Sequence, residues 1–204
     1  MTSKLVVSTF LSLDGVMQGP GGRGEDDSND FPHGGWLTPH VDEGFGRIMG
    51  EVFDRSDGML LGRKSYEILN SYWPKVSDED GGAKINSMPK YVATRAPMNA
   101  DWRNTTVLVG EAAQTVADLK SSTDGEILVQ GSSDLLRTLQ ESGLVDEYRL
   151  LIFPVVLGQG KRLFADGTTP AGLRLTDSST TDSGVLFVAY ECAGKPGYGM
   201  LPKA

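Results

Sequence analysis

Gly58-Met59-Leu60-Leu61-Gly62-Arg63-Lys64-Ser65-Tyr66-Glu67 runs from an apolar segment through a glycine straight into a polar, charged one. A strand that passes through glycine into a helix start is the building unit of a parallel sheet, whose neighbouring strands need crossover connections. The same transition recurs at Glu126–Gln130, where Gly131-Ser132-Ser133-Asp134 leads into Leu135, Leu136 and Leu139 at helical spacing. Working outward, apolar and β-branched runs bounded by Gly, Asp or Pro predict strands at 4–11, 57–61, 90–94, 106–109, 126–130, 146–153, 171–177 and 184–191. Helical spacing also appears in Val41, Phe45, Ile48, Met49, Val52 and Phe53, and in Ala112, Val116 and Leu119, while a further short helix is predicted to start near Arg63. Strands and helices alternate to residue 153; the last two strands, separated by Ser178–Ser183, read as a hairpin. The predicted class is α/β, a mixed, mainly parallel sheet of about eight strands flanked by about four helices.

Composition narrows the function. At 204 residues, 39% hydrophobic and 23% charged, the chain is long enough for one substantial core and too short to require a second domain, so a single domain over residues 1–204 is expected. A net charge of −8 argues against a nucleic-acid or anionic-membrane partner, which would need clustered Lys and Arg. Any phosphate must then be held by local design. Cys192 is the single cysteine, so no intrachain disulfide can form, and a reducing, cytoplasmic compartment is expected. The apolar stretch Leu5–Leu13 is broken by Ser8, Thr9 and Ser12 and lacks a small-residue cleavage site, which reads as a strand and not a leader. Leu150–Leu157 contains Pro154 and falls far short of the roughly 20 residues that span a bilayer, so no transmembrane segment is expected.

Three places could bind an anion. After Gly62, a helix start would point unpaired N–H groups outward, with Arg63 and Lys64 adding charge and Ser65 a hydroxyl; a helix start with solvated basic residues would look the same. After Gln130, Gly131 would let a ligand approach the backbone and Ser132 and Ser133 could bind a pyrophosphate, although Ser and Asp are also favoured helix caps. At the end of the strand Lys90–Thr94, Arg95 could grip an adenosine 2′-phosphate with its forked donors and select NADPH over NADH, or be a plain surface charge.

Other motifs are excluded or open. No Gly-x-Gly-x-x-Gly follows a strand, since Leu163 stands where the third glycine after Gly158 and Gly160 would be, and no Walker-type phosphate loop is present. The two histidines, His33 and His40, lie near Asp42 and Glu43 without a second ligand cluster, so no metal site is expected. His40, Asp42 and Asp14 remain candidate proton donors or substrate contacts, while Asp42 at a helix start and Asp14 in a turn would serve equally as structural groups. Gln18–Gly35, rich in Gly and Asp, reads as a lid, a binding loop or a flexible insert.

Ser12-Leu13-Asp14-Gly15-Val16, Leu60–Glu67, Lys90–Arg95, Val129-Gln130-Gly131-Ser132 and Phe153–Phe164 together resemble the dihydrofolate-reductase-like superfamily. The resemblance covers roughly residues 4–191 and is closest to the reductase (C-terminal) domain of bacterial riboflavin biosynthesis proteins and its stand-alone relatives. It implies a dihydrofolate-reductase-like fold and an NADPH cofactor. The cofactor pyrophosphate is then expected at Gly62, Arg63, Lys64 and Ser65 and at Gly131, Ser132 and Ser133, with the 2′-phosphate at Thr94 and Arg95. Nicotinamide and substrate would meet at Asp14, Gly15 and Val16. Trp36, Pro39 and Asp42 are similar to the Trp, Pro and acidic residue that open the first helix of dihydrofolate reductases, which implies a proton-donor role for Asp42; Trp36 and His40 are expected substrate contacts, and Asp14 is a further candidate acid.

The resemblance implies an oxidoreductase that passes a hydride to a small heterocycle of pterin or pyrimidine type, as in the phosphoribosylaminouracil reductase step of riboflavin biosynthesis. Its members often pair through strands equivalent to 146–157, which implies a homodimer. The chain departs from the riboflavin reductase pattern at Ser8, where a Lys is usual, and at Gln130, where a Glu is usual. Those losses suit a second reading, a non-catalytic nucleotide- or pterin-binding protein that kept the fold. A third, a structural domain only, fails if any dinucleotide binds.

Overall fold

The apolar runs become strands because a parallel sheet is covered on both faces and can bury consecutive side chains. The computed structural model describes residues 2–201. Its strands are β1 (Lys4–Ser12), β2 (Gly58–Gly62), β3 (Lys90–Thr94), β4 (Thr105–Val109), β5 (Glu126–Val129), β6 (Glu147–Phe153), β7 (Leu173–Thr180) and β8 (Leu186–Cys192). They form one sheet in the order β4-β3-β2-β5-β1-β6-β8-β7. From β4 to β6 every pairing is parallel, whereas β8 and β7 join antiparallel. Helices α1 (Glu43–Asp54), α2 (Arg63–Tyr72), α3 (Ala83–Ser87), α4 (Ala112–Ser122) and α5 (Ser133–Glu141) fill the connections.

Two apolar layers sandwich the sheet. Ile48, Met49 and Val52 of α1, Tyr66 of α2 and Ile85 of α3 pack on one face against Met59, Leu61, Leu128, Leu151 and Phe153. Val116 and Leu119 of α4 and Leu135, Leu136 and Leu139 of α5 cover the other, against Leu5, Val7, Leu60, Ile127, Val129 and Leu150. Right-handed crossovers explain the division: the chain moves one way from β1 to β4 and the other way from β4 through β5 to β6. The carboxyl ends of β2, β5, β1 and β6 therefore lie side by side around the reversal of strand order, where open α/β sheets place their ligands.

Two details differ from expectation. α3 adds a fifth helix, too short at 5 residues to show a period. Ser178–Thr180, read as turn, continues β7, where Ser178 pairs with Val188 and Ser179 with Phe187. This strand is exposed along its whole length and so carries no alternation to read. Within the 146–157 segment β6 lies between β1 and β8 and is largely buried within one chain, whereas Val156 beyond it is exposed. Exposed apolar side chains also sit on β7 and β8, at Leu173, Leu175 and Leu186. No helix among the described residues is long and apolar enough to cross a membrane.

Candidate active site

The two strand-to-helix turns meet. Gly62 starts α2 and Ser132 starts α5, neither with a side-chain capping bond among the described residues, so the first N–H groups of both helices are left without that partner. A Cβ on Gly62 would lie 2.3 Å from Ser132 Oγ and 3.3 Å from Ser132 Cβ. Gly131, at φ +72°, would bring a Cβ within 3.0 Å of Ser65 Oγ. Glycine at both positions thus lets the turns press together, so that two helix starts meet at one glycine-lined junction. The Gly131–Ser132 peptide is cis. Asp134, in the first turn of α5, is exposed.

Cations collect beside this junction. Arg63 Nη2 leans on the Pro97 carbonyl at 3.5 Å, which sets it against the turn that carries Arg95. That turn is closed by Thr94, whose hydroxyl donates to the Ala96 carbonyl at 2.9 Å. Register places Gly62 opposite Ala93, so Arg63 and Arg95 leave adjacent strand ends. Both arginines and Lys64 are exposed. With a chain of net charge −8, this corner is where an anion finds positive charge and free backbone donors together.

The Asp14 turn is built for holding. Ser12 Oγ donates to Asp14 Oδ1 at 2.7 Å, the Leu157 and Gly158 amides donate to its two oxygens at 3.0 and 2.9 Å, and Arg162 Nη2 lies 3.2 Å away. The Ser12 hydroxyl, followed by the two amides, outweighs burial and keeps the carboxyl well below the usual aspartate range. An ionised group has no proton to donate at neutral pH, so the geometry makes Asp14 a tether between the end of β1 and the segment after β6. Val16 also departs from expectation: its side chain is fully enclosed, its amide donates to Ser12 Oγ, and its carbonyl accepts from Ser12 N. It cannot touch a ligand unless the chain around it moves.

Asp42 caps α1. Its Oδ1 accepts from Phe45 N at 2.7 Å and its Oδ2 from Ser183 N at 2.8 Å. The Phe45 amide, then that of Ser183, lowers its carboxyl to about 2, so Asp42 too is an ionised anchor, tying α1 to the β7–β8 turn, and not a ready acid. Near it, Phe10, Trp36, His40 and Phe45 converge on Phe153, with ring centroids 5.4 to 6.1 Å apart. Phe10, Phe45 and His40 are partly exposed, whereas Phe153 and Trp36 are buried. Trp36 Nε1 donates to the Gln18 carbonyl at 2.7 Å, so this indole organises the wall from within. Partly open rings over a buried aromatic floor form a surface suited to a flat ring system.

The 18–35 segment is an ordered strap. The Gln18 side chain, 3% exposed, donates to the carbonyls of Asp26 and Ser28 at 3.0 and 2.8 Å and accepts from the Lys161 amide at 3.0 Å. Phe31 of the strap joins Val16 in the core. The roles of Gln18, Asp26, Phe153, Lys161 and Arg162 escaped sequence reasoning, because each is defined by partners far away along the chain. The glycine- and aspartate-rich composition marked the strap as a region of interest without showing its anchors.

Comparison with known proteins bears on the family and the fold. The sequence profile of the RibD C-terminal domain matches residues 3–187. The uncharacterized protein YyaP of Bacillus subtilis is 30% identical over 196 residues, covering 94% of this chain and 96% of its own. YwjB of the same organism is 28% identical over 175 residues, covering 86% and 90%. Among solved structures, a putative riboflavin biosynthesis protein from Shewanella superposes with a TM-score of 0.66 at 20% identity, over 94% of this chain and 99% of that one. A pyrimidine reductase-like protein from Corynebacterium diphtheriae gives 0.62 at 14% over 93% and 92%, and dihydrofolate reductase from Enterococcus faecalis, complexed with NADP(H), gives 0.59 at 11% over 95% and 99%. These structures share the fold expected from the sequence. Together, the profile match along nearly the whole length and the likeness to YyaP establish that this chain belongs to the RibD C-terminal domain family.

Proposed function

We propose that the protein is an NADPH-dependent reductase of a small, flat heterocycle of pterin or pyrimidine type. The observation that carries the reading is the close meeting of the turns at Gly62 and Gly131, which brings together the starts of α2 and α5, neither with a side-chain cap, beside the exposed Arg63, Lys64 and Arg95. A pyrophosphate fits such a donor set, and the Enterococcus neighbour that shares the fold was solved with NADP(H). When bound, NADPH supplies the hydride. The chain's own part is to hold pyrophosphate at Gly62–Ser65 and Gly131–Ser133, to grip the 2′-phosphate with Arg95, and to seat the substrate ring on Phe10, Phe45 and His40.

The proton is not given by Asp14 or Asp42, both committed to backbone amides. His40, partly exposed over Phe153, is the group that can pass a proton in from solvent. The commitment of both carboxylates favours a second reading, a nucleotide- or pterin-binding protein without turnover. We also place the homodimer contact at the exposed β7–β8 edge, where Leu173, Leu175 and Leu186 would be covered by a second copy.

Calorimetric titration of NADPH and NADH into wild type and Arg95→Ala tests the cofactor assignment. NADPH is expected to bind at least tenfold tighter than NADH, and the substitution to remove about 1.4 kcal/mol of that preference. Equal binding of the two nucleotides, or a preference untouched in the variant, contradicts the role of Arg95. No binding of either contradicts both the reductase and the nucleotide-binder readings.

A further inference from the structure

Asp26 stands between two lysines. Its Oδ1 lies 2.5 Å from Lys64 Nζ and its Oδ2 2.7 Å from Lys161 Nζ. Lys64 belongs to the first turn of α2, after β2, whereas Lys161 follows β6. Lys161 itself is held just past the end of β1, where its carbonyl accepts from the Met17 amide, and β2 and β1 are two steps apart in the order β2-β5-β1, roughly 10 Å at about 4.8 Å a step. Asp26 thus makes an ionic bridge from the start of α2 to the segment beside the end of β1, past the end of β5, where Gly131 lies.

The two halves of the bridge are unequal. On the Lys161 side, Gln18 ties the Asp26 carbonyl to the Lys161 amide, and the Lys161 side chain is 28% exposed. The Lys64 side chain is 50% exposed, and the ion pair, with its hydrogen bond, is what joins it to the strap. An exposed pair of this kind is worth little and yields to a competing anion. Burial would raise the Asp26 carboxyl, but Lys161, Lys64 and Ser28 outweigh it and hold the group ionised, so a full negative charge occupies the space between the two ammonium groups.

We propose that Lys64 and Lys161 form an anion site whose resident occupant is the Asp26 carboxylate, and that a phosphate group of the dinucleotide displaces it and frees the strap from α2. The inference rests on the reading of the crevice as a nucleotide site. A carboxylate and a phosphate cannot both sit on Lys64 without like-charge repulsion, so phosphate binding and strap closure oppose each other by linkage. The opposite arrangement, a strap that closes over bound nucleotide through the same Asp26–Lys64 contact, predicts effects of opposite sign.

The test titrates NADPH and, separately, inorganic pyrophosphate into wild type and Asp26→Asn at low salt, and follows hydrogen exchange in wild type. Asp26→Asn is expected to tighten both ligands about three- to tenfold, since the internal competitor has lost its charge. In wild type, saturating pyrophosphate is expected to speed exchange of the amides at 26–28. Unchanged or weaker pyrophosphate binding in the variant, or unchanged or slowed exchange in wild type, overturns the proposal. If NADPH binds neither protein while pyrophosphate behaves as expected, the anion site stands and the dinucleotide reading of the crevice falls.

Discussion

Gly62→Val is expected to lower NADPH affinity at least thirtyfold, about 2 kcal/mol, and to lower stability by about 1–3 kcal/mol. The first added carbon would already lie 2.3 Å from Ser132 Oγ, and because Ser132 Cβ is only 3.3 Å away, rotating the hydroxyl does not clear the space. The branched methyls would push α5 away from α2 and part the two helix starts that converge there. Urea denaturation reads the stability loss, and fluorescence titration of NADPH reads the affinity. A variant that keeps wild-type affinity with intact fold would mean that close approach of the turns is not what binds the nucleotide.

Asp14→Ala is expected to cost about 2–3 kcal/mol, because it strips partners from the Ser12 hydroxyl, the Leu157 and Gly158 amides and Arg162 together. The amides at 157 and 158 should exchange faster as the segment after β6 leaves the end of β1. The pH dependence has a definite sign. A carboxyl whose folded pKa is depressed contributes its full stability above the unfolded value near 3.9 and loses it as pH falls through the folded value, so the gap between wild type and Asp14→Ala should narrow only in acid, below about pH 4. The same shift separates tether from acid catalyst. Carboxyl NMR should find Asp14 ionised throughout the neutral range, whereas a titration near neutrality would restore it as a proton donor.

The strand-to-helix punctuation at Gly62 and Gly131 made the sheet legible, since glycine between an apolar run and a polar helix start is a local signal of a parallel unit. Local signals also located the cationic corner of Arg63, Lys64 and Arg95. What they could not give was the use of each carboxylate. Asp14, Asp26 and Asp42 all sit where an acid can meet a ligand, yet their distant partners are Leu157, Gly158 and Arg162 for the first, Lys64 and Lys161 for the second, and Ser183 for the third. Contacts spanning from 38 to 148 residues leave no periodic trace in the sequence. β7 was blurred for a related reason, because an edge strand exposed on both faces shows no alternation, and so Ser178–Thr180 read as a turn.

The most direct measurement is residue-resolved hydrogen exchange of the wild-type protein with and without saturating NADPH. Slowed exchange is expected at the amides of 63–65 and 132–133, the starts of α2 and α5, with little change at the β7–β8 edge. Binding without protection at either helix start, or protection confined to the far edge of the sheet, would contradict the claim that the paired glycine turns form the cofactor site.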